Sequence, residues 1–234
     1  MSFGQPILAI DTCGPTGSVA LGSLPGRDLE ILGQIELASR TYSTTLVAAV
    51  AELLRSAGIE LRELGGIVAV NGPGSFTGVR VGLSAVKGLV EGSEIPVVAF
   101  SRLEVLSRKS GVPSSALDAH RGEIFLRLER MDSKAIEILA GPRELAAICP
   151  EPLRVAVCDE ETAALLAAAW PGTQPVATPS PLAADVLRMG EARLAAGIFA
   201  DVAPLDGHYL RRSDAEIFGA EVDGRLAAAA SESA

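Results

Sequence analysis

The stretch Val70-Asn71-Gly72-Pro73-Gly74-Ser75-Phe76-Thr77-Gly78-Val79-Arg80 closes one element and opens the next. Before it runs the apolar strand pattern Gly66-Ile67-Val68-Ala69-Val70, and after it a helical pattern extends to about Glu91. Glycines on either side of a proline let the chain turn sharply, and the first N–H groups of a helix are free for a cap or an anion. A phosphate cradle is therefore the first reading. Neither standard phosphate loop fits it, however. Thr77 stands where the dinucleotide fingerprint needs its third glycine, and no Gly-Lys-Ser/Thr follows at Walker spacing.

Gly72 to Arg80, followed by Gly82, Ala85 and Lys87-Gly88-Leu89, resembles the TsaB (YeaZ) family. Four further segments match in the same order. They are Ile7-Leu8-Ala9-Ile10-Asp11-Thr12 with Ser18-Val19-Ala20-Leu21, Pro96 to Glu104, Leu117-Asp118-Ala119 with Arg121-Gly122-Glu123, and Tyr209-Leu210-Arg211. The match covers Ile7 to about Arg130 and returns at Tyr209, and the region between Met131 and Asp206 carries little of it.

Strands are expected at Ile7–Thr12, Ser18–Gly22 and Glu30–Leu37, with turns at Gly14–Gly17 and Pro25–Asp28. A helix from about Thr44 to Ala57, the strand Ile67–Val70, the motif helix Phe76–Glu91 and a strand Val97–Phe100 follow. Ser101 and Glu104 have the spacing of a capping box for the next helix. The order predicts an α/β fold with a mixed sheet. The resemblance implies a two-lobed, actin-like (ribonuclease-H-like) architecture. The first lobe would occupy residues 1–101 and be completed by 183–215. A smaller lobe, 102–182, would hold strands near Glu123–Arg130, Ile136–Leu139 and Arg154–Val157. Thr173–Pro181 reads as the linker back, Leu182–Ala196 as a helix docking on the first lobe, and 216–234 as a mobile tail. No internal repeat is visible at the level of sequence.

On the helical period, Val79, Leu83, Val86 and Val90 make the stripe that must face the sheet. Arg80, Ser84, Lys87 and Glu91 make a polar face, and Gly78, Gly82 and Ala85 a strip of small residues ending at Leu89. Interior helix glycines cost about 1 kcal/mol each relative to alanine, so close approach of another backbone is expected there. On the preceding helix, Leu46, Val50 and Leu53, together with Val47, Ala51, Leu54 and Ala57, form a stripe wider than one interface needs. The small strip serves either packing within the lobe or the approach of another chain. The resemblance favours the second, because the family pairs through this helical face. The partner surface is then expected at Leu46, Val50, Leu53, Gly78, Gly82, Ala85 and Leu89.

Composition narrows the function. The 234 residues are 48% hydrophobic but only 4% aromatic, which leaves little for base-stacking platforms. With 20 Lys+Arg against 29 Asp+Glu the net charge is −9, which repels a phosphate backbone. No signal peptide is read at the start, and no apolar run approaches the ~20 residues of a membrane span. Cys13, Cys149 and Cys158 form no CxxC pair, as expected of reduced thiols in a cytoplasmic protein.

Catalytic signatures are mostly missing. Asp11 ends the first strand, where actin-like folds place a metal-holding carboxylate, so Asp11, Thr12, Gly72, Gly74 and Ser75 are the candidates for a nucleotide-facing cleft. The alternative is that Asp11 merely caps its turn. His120 and His208 are far apart in sequence. The related transferase TsaD carries a His-x-x-x-His pair, whereas the matching helix here begins Arg40-Thr41-Tyr42-Ser43, and Tyr42 inherits no role from a histidine. Gly74-Ser75-Phe76-Thr77-Gly78 is not the Gly-x-Ser-x-Gly nucleophile elbow. Asp118, Arg121 and Glu123 read either as a solvated hairpin tip or as a wall of the cleft, and the resemblance favours the wall. What it implies overall is a non-catalytic partner of TsaD in making threonylcarbamoyladenosine at position 37 of tRNA. No catalytic or metal residue and no cofactor would belong to the isolated chain; ATP and metal would sit on partner subunits, among them a small ATPase. tRNA would be met only through the complex, and the free chain would pair with itself. The rival expectation is an independent actin-like ATPase or small-molecule kinase.

Overall fold

A computed structural model describes residues 5–23, 29–39, 41–129, 135–149 and 151–210. Three antiparallel strands come first: β1 (Ile7–Asp11), β2 (Gly17–Ser23) and β3 (Glu30–Leu37). Helix α1 (Tyr42–Ala57) leads to β4 (Gly66–Val70), then α2 (Phe76–Val90) and β5 (Val97–Phe100). β4 lies parallel to β1 and β5 parallel to β4, which gives the order β3-β2-β1-β4-β5. The central strands are buried along their whole length, so they read as continuous apolar runs rather than alternating ones.

The chain crosses to a second sheet through α3 (Arg102–Ser110). Strands β6 (Ser114–Asp118), β7 (Ile124–Leu128) and β8 (Ile136–Ala140) are again antiparallel neighbours. Helix α4 (Pro142–Ala147), β9 (Arg154–Val157), α5 (Glu160–Ala169) and β10 (Gln174–Ala177) follow, and α6 (Ala183–Ala195) returns to the first sheet. The second order, β10-β9-β6-β7-β8, repeats the first strand for strand. Both lobes run βββαβαβ and leave by a helix, so a duplicated, actin-like architecture is present without a visible sequence repeat. Trp170 anchors the second core, fully buried, with its Nε1 donating to the Leu145 carbonyl at 3.0 Å.

Helix α6 belongs to the first core. Val186, Leu187 and Leu194 are buried with the residues of β1, β2 and β4. A Cβ on Gly190 would lie 2.3 Å from Val68 Cγ2, so glycine lets the helix touch the sheet.

Three expectations change. β6, α4 and α5 have no counterpart in the sequence reading. Residues read as a linker contain β10, whose Pro175 is tolerated because β10 is an edge strand. Ser101 does cap α3, accepting from Leu103 N, but Glu104 completes no capping box because Arg193 Nη2 takes both its carboxylate oxygens at 2.7 and 2.9 Å. A charged bidentate contact outcompetes a single backbone N–H. The turn Pro25–Asp28, Arg130, Arg211 and the 216–234 tail lie outside the described residues.

Candidate functional site

The motif loop is held by the chain itself. Gly72 and Gly74 have φ of 108° and 157°, conformations that favour glycine. A Cβ on Gly74 would lie 2.2 Å from the Cys13 carbonyl oxygen, and Ser75 N donates to that same oxygen at 2.8 Å. Ser75 Oγ caps α2 by accepting from Gly78 N at 3.2 Å. Thr12 Oγ1 donates to the Gly78 carbonyl at 2.7 Å, and Cβ atoms on Gly78 and Gly82 would stand 2.0 Å from Thr12 O and 2.3 Å from Thr12 Oγ1. The small strip therefore exists so that α2 can lie directly on the end of β1.

Asp11 is fully buried beside this contact. Its Oδ1 accepts from Cys13 N at 2.8 Å, and its Oδ2 faces Arg102 Nε at 3.3 Å. Arg102 is itself 4% exposed, donates to Ser180 Oγ at 2.8 Å, and fills the space a Cβ on Gly14 would need. Tyr42 OH donates to the Gly14 carbonyl at 2.9 Å and seals the turn from the other side. Burial, reinforced by the Asp11 charge, pushes the Cys13 thiol well up and raises the Tyr42 hydroxyl. Asp11, Thr12, Gly72, Gly74 and Ser75 thus lie on two segments that pack against each other, and the contacts between them are made within the chain. Both Asp11 oxygens and the backbone behind Gly74 are engaged within the chain, so these residues do not fit a metal-bound nucleotide.

The opening between the lobes lies elsewhere. A polar cavity of about 310 Å³ is lined by Asn71, Ser101 and Glu104 on one side, Arg127 and Glu137 on the other, and Arg193 and His208 at its rim. Glu137 is its hub: it accepts from Ser101 Oγ at 2.6 Å and Arg127 Nη1 at 2.8 Å, and pairs with His208 Nε2 at 2.9 Å. Burial pushes the Glu137 carboxyl up, but the hydrogen bonds from His208, Ser101 and Arg127 together outweigh it and hold the group below the usual carboxylate range. Arg127 reaches Glu137 from the paired strand β7, Ser101 from 36 residues away and His208 from beyond α6, and no local signature marks the cluster.

Asp118 and Glu123 flank a turn in which His120 and Arg121 have φ of 62° and 59°. Asp118 Oδ1 accepts from His120 N at 2.7 Å, the same i to i+2 arrangement Asp11 makes with Cys13. This turn lines a 200 Å³ recess against Glu161, Thr162 and Leu165 of α5, and no residue of the first lobe contributes. It is a wall within the second lobe, not of the cleft between lobes. Among the described residues no group of three or more His, Cys, Asp or Glu could hold a metal ion. None of the helices among them is long and apolar enough to cross a membrane.

The expected partner residues divide. Leu46, Val50 and Leu53 are 1%, 2% and 7% exposed and belong to the first core, and Gly78 and Gly82 are occupied by Thr12. Ala85 and Leu89 are partly exposed, and Val47, 61% exposed, heads an outward strip with Ala48 and Ala51. The buried five are already used within the first lobe, the three apolar side chains by its core and the two glycines by Thr12.

A family model described as TsaD, tRNA N6-adenosine threonylcarbamoyltransferase, matches residues 32–143. The tRNA threonylcarbamoyladenosine biosynthesis protein TsaB of Escherichia coli is 33% identical over 136 residues, 56% of this chain and 57% of that protein. The chain thus spans little more than half of that curated relative. An uncharacterized protein of Mycobacterium tuberculosis is 31% identical over 216 residues, covering 90% of this chain and 93% of that one. Among solved structures, an uncharacterized protein from Pseudomonas aeruginosa with similarity to peptidase YEAZ superposes with a TM-score of 0.70 at 26% identity. That likeness covers 88% of this chain and 100% of the other. With the Gly72–Arg80 motif at the join of strand and helix, the chain belongs to the TsaB (YeaZ) family.

Proposed function

We propose that the chain acts in forming threonylcarbamoyladenosine on tRNA, as the non-catalytic partner of a TsaD-type transferase. The names of its relatives support the pathway. The observation that carries the non-catalytic part is the buried Asp11–Arg102 pair. The carboxylate an actin-like ATPase would use for its metal is neutralised from within the chain. ATP and metal then belong to the partner subunits, a TsaD-type subunit and a small ATPase. With a net charge of −9, the chain meets tRNA only through the complex.

The partner face is the outward side of α1 and α2, with Val47, Ala48 and Ala51 beside Ala85 and Leu89. The same face pairs two copies when the partner is absent. Reconstitution tests the reading: the TsaD subunit and the small ATPase of the same organism are incubated with tRNA, with and without this chain. Modified adenosine is expected only when the chain is present, and Val47→Asp is expected to abolish the requirement's fulfilment by weakening association. Magnesium-dependent ATP turnover by the isolated chain, lost in Asp11→Asn, would replace this reading with an independent ATPase.

A further inference from the structure

The first turn of α2 carries an exposed cluster that neither the core nor the cleft uses. Arg80 Cζ lies 3.7 Å from the centroid of the Phe76 ring and 5.8 Å from that of Tyr209. The two rings are 5.2 Å apart at 47°, and Arg80 Nε donates to Tyr209 OH at 3.3 Å. Tyr209 is steered there by Gly207, where a Cβ would come within 2.5 Å of its ring. Phe76 is 44% and Tyr209 37% exposed.

The guanidinium is thus stacked on one ring and tethered at Nε, while its two terminal nitrogens make no hydrogen bond or ion pair among the described residues. What remains is an end-on fork of parallel N–H donors, fixed before binding and framed by aromatic rings. Such a fork matches a carboxylate with two bonds, and its prior ordering removes most of the entropy that a free arginine loses. Arginine between exposed aromatics is also the composition of interface hot spots. A nucleic-acid backbone is a poorer match. Lys87, the neighbouring cation, is already bonded to the Ala203 carbonyl at 3.1 Å, and Asp201 and Asp206 lie on the adjoining segment, so among the described residues no field of clustered positive charge surrounds Arg80.

We propose that Arg80, held between Phe76 and Tyr209, is the docking point for an acidic side chain of the partner protein. The proposal rests on assembly with a TsaD-type subunit and names the chemistry that subunit must present, an Asp or Glu beside an apolar contact. Calorimetric titration of that subunit into the wild-type chain and three variants tests it. Arg80→Ala is expected to weaken binding about thirty-fold or more, and Arg80→Lys about ten-fold, because lysine keeps the charge but lacks the fork and the stack. Lys87→Met is expected to leave affinity within about two-fold, and all variants to melt as the wild type does. Wild-type binding matched by Arg80→Lys and Arg80→Ala overturns this proposal alone. Failure of the wild-type chain to bind at all overturns the assembly reading and this one with it. Submicromolar tRNA binding by the free chain at physiological salt, lost in Arg80→Lys, would assign the fork to phosphate and also overturn it.

Discussion

Replacing Arg102 by methionine removes the guanidinium that, among the described residues, is the one cation paired with Asp11, and with it the atoms packed under Gly14, while keeping the apolar stem. Asp11 is fully buried and the Arg102 side chain is 5% exposed, so water cannot take over from the lost guanidinium. At the observed separation of 3.3 Å, the attraction is about 5 kcal/mol for an effective dielectric near 20. Breaking a buried pair from one side ordinarily costs about 3–5 kcal/mol, and the two figures agree. Removing both charges in Arg102→Met/Asp11→Asn should restore much of that loss, because no orphaned charge then remains. The assay is urea denaturation followed by far-UV circular dichroism and by the fluorescence of Trp170, the single tryptophan, whose burial in the second lobe reports that lobe separately. A loss below about 1 kcal/mol in Arg102→Met, or a double variant no better than the single, would refute the reasoning that a buried Asp11 left without its partner is what costs the stability.

The glycines of α2 should behave oppositely at two positions. Gly82→Ala, whose Cβ would meet Thr12 Oγ1, should destabilise by about 1–3 kcal/mol, whereas Gly88→Ala, with nothing within 4 Å, should stabilise by about 0.5–1 kcal/mol in the same denaturation assay. Glu137 has its carboxyl pKa lowered by folding. Its contribution is therefore complete above the unfolded value near 4.3 and lost as pH falls through the folded value. Glu137→Gln should accordingly lose less stability than the wild type between about pH 5 and 3, as read from melting temperatures across that range. Toward a thiol reagent at neutral pH, exposed Cys149 should react first and buried Cys13 only on unfolding, measured by peptide mass mapping of the labelled protein.

The parts of this molecule that can be read from sequence are those decided locally. Gly72, Gly74 and Ser75 announce a strand, a tight loop and a capped helix within one short stretch, and the observed elements follow them to within a residue. The apolar runs of β1 and β4 likewise betray strands covered on both faces. Gly78 and Gly82 mark a close approach, but what approaches is Thr12, 66 residues away, and spacing cannot tell a neighbour in the same lobe from another chain. Asp11 looks like a metal ligand until Arg102, 91 residues later, is seen against it. Ser101 and Glu104 show the spacing of a capping box, which Arg193 dissolves from the far side of the second lobe. Pro175 disguises β10 as a linker because an edge strand can spare one N–H. The Glu137 hub joins three separate segments and left no trace in any one of them.

The return of α6 to the first sheet has a consequence for how the chain is made. Synthesis delivers β1 to β5 first, but Val186, Leu187 and Leu194 complete that lobe's core and emerge only after the whole second lobe has been translated. The second lobe, by contrast, is one uninterrupted stretch from α3 to β10. Its apolar residues can close on one another while the first lobe is still missing a wall. The nascent first lobe must wait with one face of its sheet uncovered for the time taken to add nearly a hundred residues, roughly 5–20 s at ordinary elongation rates. A ribosome-bound chain stopped near residue 120 should therefore be protease-sensitive within residues 7–100. One that has extruded α6 should not.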